Sequence, residues 1–165
     1  MAEEILVSGS VSKEEKYQTL LPQLKALVDV ESDLVANLAN ISAVLKDVFN
    51  FWWVGFYLLK NEELVLGPFQ GPLACSRIAL GKGVCGKAAQ SQKSILVPDV
   101  NQFEGHIACS ASSQSEIVVP IVLNGSLLGV LDVDSEFLNH FDKVDQENLE
   151  KLAEMLANLD WSKHV

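Results

Sequence analysis

Apolar residues change their spacing several times along this chain, and each change marks a different element. Tyr17, Leu20, Leu21, Leu24, Leu27 and Val28 recur at three- and four-residue intervals, the spacing of one helix face. Ser12-Lys-Glu-Glu15 precedes them as a capping box, in which the Ser12 hydroxyl accepts from the Glu15 amide and Glu15 reaches back. Pro22 falls inside the pattern and predicts a helix start or a kink, because proline lacks the amide and crowds the preceding turn. A second stripe, Leu34, Leu38, Ile41, Leu45 and Val48, predicts a helix from near Ser32. Residues 1–11 carry no such stripe and read as a frayed, flexible tail ahead of one domain over 12–165.

From Phe51 the period becomes two. Phe51, Trp53, Gly55 and Tyr57 point to one face; Trp52, Val54, Phe56 and Leu58 point to the other, with Trp52 and Phe56 as the better core candidates. Lys60–Glu63 predicts a turn into a second strand around Leu64–Leu66, followed by a loop over Gly67–Pro72. Short strands are expected at Arg77–Leu80 and Ile95–Val97, with a short helix opening near Cys85 between them. Asp99–Ser115 is polar, small and irregular, a candidate lid. Ile117–Leu123 and Leu127–Val133 flank Asn124-Gly125, a strong hairpin signal. Asp142-Lys-Val-Asp145 caps a last helix whose Leu149, Leu152, Ala153 and Leu156 turn inward. This order predicts an α+β domain: an antiparallel sheet with N- and C-terminal helices on one face and loops on the other.

Charge narrows the partners. With 22 acidic against 12 basic residues the formal charge is −10, which argues against nucleic acid, where a basic face supplies most of the binding. An anionic membrane surface is disfavoured for the same reason, and no stretch approaches the ~20 apolar residues that span a bilayer. The acidic N-terminus does not read as a secretory signal. Three cysteines make an odd number that fits no disulfide framework, so the expected compartment is the cytoplasm, with thiols reduced at rest. Their spacing matches no zinc pattern, and Gly81–Gly86 matches a phosphate-binding G-x-G-x-x-G by spacing alone. No metal or cofactor is expected.

The candidate chemistry lies in Cys75, Cys85 and Cys109 and in the acids that follow, Glu116, Asp132 and Asp134. Asp132 and Asp134 share one strand face. A two-residue loop at Asn124-Gly125 would leave Glu116 on the wrong face. A three-residue loop, with Gly125 left-handed as a bulge, pairs Glu116 with Asp132 and gathers all three acids. That register is the prediction. Three carboxyls on one concave face repel, so one should keep its proton to higher pH than usual, giving both a grip for an ammonium group and a neutral proton donor. Trp53 and Tyr57 either wall a pocket or pack as core. Cys85, at a helix start, either has its pKa lowered by the helix dipole or fills space. Cys109 and Cys75 sit in loops, where two thiols are easily brought together. His106 either orients a thiol or lies on the surface.

Trp53-Val-Gly-Phe-Tyr57, Leu66-Gly-Pro-Phe-Gln-Gly71, Gly83-Val-Cys-Gly86, Gly105-His-Ile-Ala-Cys109, Ser115-Glu-Ile-Val118 and Gly129-Val-Leu-Asp-Val-Asp-Ser135 resemble the free methionine-R-sulfoxide reductases, which are GAF-domain enzymes. The resemblance covers roughly residues 15–160. It implies a GAF fold and reduction of free L-methionine-R-sulfoxide to methionine, with thioredoxin as reductant. Carried across, it makes Cys109 the attacking thiol and Cys75 its resolving partner, with Cys85 an alternative participant and attack by Cys85 a variant. Glu116, Asp132 and Asp134 would bind the substrate ammonium and the sulfoxide oxygen, with Trp53 and Tyr57 around the methyl end. It also implies a homodimer through the terminal helices. The competing readings are a non-catalytic GAF sensor and a redox switch without turnover.

Overall fold

Ser12 starts the first helix as its capping box requires: its hydroxyl accepts from the Glu15 amide at 3.2 Å and its own amide donates to Glu15 Oε2 at 2.9 Å. The computed structural model describes residues 4–109 and 111–164. Helix α1 spans Lys13–Val30 and α2 spans Leu34–Phe49, the latter capped by Asp33, whose side chain accepts from the Ala36 amide. Pro22 neither starts nor ends α1 but sits within it. The cost of its missing amide is outweighed by the burial of Tyr17, Leu20, Leu24 and Val28 on either side.

Strands β1 (Trp53–Lys60) and β2 (Glu63–Gln70) form a hairpin, followed by β3 (Arg77–Ala79), helix α3 (Gly83–Ser91) and β4 (Ile95–Val97). Residues expected as a loop from Gly67 belong to β2. A register shift opposite Gly55–Tyr57 accommodates Pro68 within the strand. After a 3-10 turn at Val100–Gln102 and the lid come β5 (Ser115–Leu123), β6 (Ser126–Ser135) and helix α4 (Lys143–Ala157). The strands form one six-stranded sheet in the order β3-β2-β1-β6-β5-β4, antiparallel throughout.

Each face of the sheet carries its own core. Helices α1, α2 and α4 cover one face, packing on Val54, Phe56 and Leu58 of β1, alternate residues of β5 and Leu131 and Val133 of β6. Fully buried Asp145 ties α4 to α1, accepting from Tyr17 Oη at 2.9 Å and from Lys13 Nζ at 2.5 Å. On the opposite face α3 and the loops cover Trp53, Tyr57, Val118 and Val130. Phe51 and Trp52 reverse the faces predicted for them: Phe51 lies in the helix-side core and Trp52 packs on the α3 side. Both precede β1, so the strand's alternation does not govern them.

The first three residues of the expected tail, and Ser110 of the expected lid, lie outside the described residues. Beyond them, Ile5 and Val7 pack against the helix-side core, and the Leu6 backbone exchanges hydrogen bonds with Gln23 at 2.9 and 3.0 Å. Among the described residues no helix is long and apolar enough to cross a membrane.

Candidate active site

The β5–β6 hairpin decides whether three acids meet. Leu123 pairs with Ser126 across a two-residue turn, with Asn124 and Gly125 both at positive φ (51° and 80°), the type I′ geometry that Asn-Gly favours. The predicted three-residue loop is therefore absent. The ladder instead shifts two pairs later: Val122 faces Leu127 and Ile121 faces Gly129, leaving Leu128 as the extra residue of a bulge. The bulge restores the parity that the turn alone would forfeit. Glu116 pairs with Asp134 and Val118 with Asp132, so Glu116, Asp132 and Asp134 share the α3-side face as expected, with partners moved by two residues. On its other edge β6 sets Asp134 against Trp53 and Asp132 against Gly55.

These acids floor a cavity of about 520 Å³, counted to its open mouth, between the sheet, the start of α3 and the lid. Glu116 and Asp132 are only 6% and 7% exposed. Ser113 Oγ donates to Asp134 Oδ1 at 2.6 Å, and His106 Nε2 lies 3.5 Å from Glu116 Oε2. Among the described residues Asp132 Oδ1 is buried without a hydrogen-bond partner. Burial, and then the charge of Asp134, hold Glu116 well above the usual carboxylate range. Burial followed by Asp134 and Glu116 does the same to Asp132. Asp134 rises less, to about 6, because the Ser113 hydrogen bond and His106 oppose its burial.

The aromatic wall is held from outside the cavity. Trp53 Nε1 donates to the Pro72 carbonyl at 3.1 Å, and its indole stacks on Phe69 and Tyr57, with centroids 5.3 and 6.1 Å away. Gly55 makes this possible, since a Cβ there would stand 2.4 Å from both the indole and Phe69 Cβ. Tyr57 Oη donates to the Cys75 carbonyl at 3.0 Å, so the pocket wall also fixes a cysteine loop. Its hydroxyl keeps its proton: burial and the neighbouring Asp132 push its pKa upward.

Cys75 and Cys109 form a disulfide between the loop after β2 and the lid, with Cα atoms 5.4 Å apart. The structure is therefore the oxidised form, where the cysteine count led to an expectation of reduced thiols. Cys85 is free and buried. Burial and the charges of Asp132, Glu116 and Asp134 push its thiol pKa well up, opposite to the lowering expected from the α3 dipole. A dipole end is weak beside three nearby carboxyls in a dry site.

All eight sequence candidates, Cys75 apart, line this one cavity, and Cys75 joins it through Cys109. Sequence reasoning missed Ser113, the contact of His106 with Glu116, and the apolar lining from Leu73 in the loop after β2 and Ile107 in the lid. Ile107 packs on Gly83, where an added Cβ would be 3.2 Å away. The signal for His106 and Ile107 was their place in the lid beside Cys109; Ser113 left none.

A GAF-domain family model matches residues 33–159. GAF domain-containing protein A of Dictyostelium discoideum is 55% identical over 159 residues, covering 96% of this chain and 100% of that one. The free methionine-R-sulfoxide reductase of Saccharomyces cerevisiae is 43% identical, covering 94% and 91%. The chain belongs to the free methionine-R-sulfoxide reductase family of GAF domains. An X-ray structure of a family member from Neisseria meningitidis, in complex with its substrate, is 49% identical with a TM-score of 0.89, covering 94% of this chain and 93% of that chain. In this chain the sheet carries the acid floor, the aromatic wall and the lid on one face.

Proposed function

We propose that this protein reduces free L-methionine-R-sulfoxide to L-methionine, with Cys109 as the attacking thiol and Cys75 as its resolving partner. The observation that carries this reading is the Cys75–Cys109 pair, joined at the mouth of a cavity floored by buried, protonatable carboxyls. A sulfoxide is a poor electrophile until its oxygen takes a proton. Glu116 and Asp132, held neutral by burial, supply one. Asp134, at about 6, is ionised near neutral pH and grips the substrate ammonium. Trp53 and Tyr57 enclose the methyl end.

Cys109 sulfur attacks the sulfoxide sulfur, and collapse leaves the oxygen on Cys109 as a sulfenic acid while methionine departs. The Cys75 thiol then attacks that sulfur, the S–S bond forms and water leaves. Two thiols have lost two electrons and the sulfoxide has gained them. Thioredoxin restores both thiols by exchange, which suits a cytoplasmic protein. Cys85 is deep, free and held as a neutral thiol, which supports a place in the wall rather than as attacker. A homodimer through the terminal helices is compatible with the active site, which lies on the opposite face of the sheet.

The test is methionine formation from each free sulfoxide epimer with thioredoxin recycling, in the wild type and in Cys109→Ser. Turnover of the R epimer by the wild type, abolished in the variant, is expected. A wild type that binds the sulfoxide without turnover would make the protein a sensor. A Cys109→Ser protein working at the wild-type rate would move the attack to another thiol.

A further inference from the structure

The pocket floor holds a set of donors that thiol exchange does not use as a set. The Cys85 sulfur, one oxygen of Glu116 and one of Asp132 all lie within 4.8 Å of one another, and all three residues are buried. This thiol stands apart from the exchanging pair, being free where Cys75 and Cys109 are joined. A second observation points to a cation at the same place. Asp132 Oδ1, on a side chain that lines the pocket, is shut off from solvent with no hydrogen-bond partner among the described residues. Leaving such an acceptor unsatisfied is unfavourable, and a bound cation satisfies it.

The donors select the metal. Magnesium and calcium take oxygen ligands in shells of six or more, whereas a sulfur, two carboxylates and one further donor suit four-coordinate zinc. His106 Nε2, 3.5 Å from Glu116 Oε2 but outside the three-atom cluster, is the lid donor that would move in to take the fourth position. A tetrahedral zinc with bonds of ~2.3 Å to sulfur and ~2.0 Å to oxygen sets those ligand atoms about 3.5 Å apart. Cys85 Sγ and Glu116 Oε1 are 4.0 Å apart and need to close by about half an ångström, and the other pairs, all within 4.8 Å, by up to about 1.5 Å. As the Zn–S bond forms, the thiol proton leaves to solvent, and any carboxyl protons follow; no electron moves.

We propose that Cys85, Glu116 and Asp132, with His106 closing the fourth position, form a zinc site, and that zinc and the amino-acid substrate exclude one another. The exclusion rests on the proposed function, because the same carboxyls take the ammonium and the sulfoxide oxygen. The zinc site itself does not. Its donors come from α3, β5, β6 and the lid, which explains why no local spacing of cysteines and histidines announces it.

The test uses two full-length proteins: wild type, reduced and freed of reductant without air, and the Cys75→Ser/Cys109→Ser variant, in which Cys85 is the remaining thiol. Zinc is titrated against a chromophoric chelator. One zinc per chain is expected in both, weakened at least about tenfold by Cys85→Ser or Asp132→Asn, and unaffected by magnesium. Cobalt in place of zinc should give a thiolate charge-transfer band in both proteins. That readout keeps Cys85 in place, and in the double variant it reports Cys85 alone. No zinc bound by either protein, no cobalt–thiolate band, or unchanged affinity in Cys85→Ser would overturn the site. Zinc affinity unchanged by saturating free methionine sulfoxide would overturn the exclusion. The double variant cannot carry out the proposed reduction, so its zinc binding is read independently of the reductase function.

Discussion

Reducing the Cys75–Cys109 bond should cost this protein a large share of its stability. The cross-link spans 34 residues, and closing a loop of that size removes about 12.6 cal/mol/K of entropy from the unfolded chain, or ~3.8 kcal/mol at 25 °C. With a urea dependence of roughly 2 kcal/mol/M for a domain of this size, the midpoint should fall by about 1.9 M on reduction. The assay is equilibrium urea unfolding followed by tryptophan fluorescence, comparing oxidised wild type, reduced wild type and Cys75→Ser/Cys109→Ser. The last two should coincide. Cys85→Ser should preserve the gap between oxidised and reduced protein, since that thiol takes no part in the cross-link. Oxidised and reduced midpoints within about 0.3 M of each other, roughly 0.6 kcal/mol at that slope, would refute the reasoning. In that case the unfolded chain already holds these loops together, and the bond acts on the lid alone.

Two further outcomes follow from the pocket. Asp134 carries a folded-state pKa of about 6 against an ordinary 3.8, so the native state binds its proton more tightly than the unfolded chain does. Its stabilising contribution is complete below about pH 4 and is lost as pH rises through 6, by at most about 3 kcal/mol. Urea midpoints of wild type should therefore fall relative to those of Asp134→Asn across that window, and a flat or rising difference would contradict the shift. Gly55→Ala places a methyl 2.4 Å from the Trp53 indole and Phe69 Cβ. It should cost about 1–3 kcal/mol in unfolding experiments and raise KM by displacing the indole; an unchanged KM would remove Trp53 from the binding wall.

Much of this architecture was legible because local rules act alone where neighbours do not interfere. The capping boxes at Ser12 and Asp142 need only four residues each, and both are present. The alternation of Val54 and Phe56 against Trp53 and Tyr57 separates the two cores as read. Parity also placed Glu116 with Asp132 and Asp134, though the turn chosen to justify it was wrong. Asn124-Gly125 is a two-residue turn, and a bulge at Leu128 that no residue type announces supplies the missing step. Cys85 shows another limit. Its helix position was visible, but the three carboxyls that set its protonation come from β5 and β6 and meet it only in the fold. His106 likewise reads as a surface residue until the lid brings it to Glu116.

Leu128 makes chain length a functional variable. Between Glu116 and Asp134 the backbone reverses once and returns with one residue more on the β6 side than on the β5 side. A relative or a redesigned variant can add two residues in this interval and keep every carboxyl on the α3 side. One residue added to or removed from either strand between its acid and the turn, with the turn's closing pair kept, sends that strand's acid into the apolar core beneath α1, α2 and α4, unless a bulge is gained or lost with it. Between acid and turn, whose own length is free to vary, aligned strands in working members should therefore differ by even steps, or carry a compensating bulge. An odd difference without one marks a protein that has kept the GAF sheet and given up the chemistry.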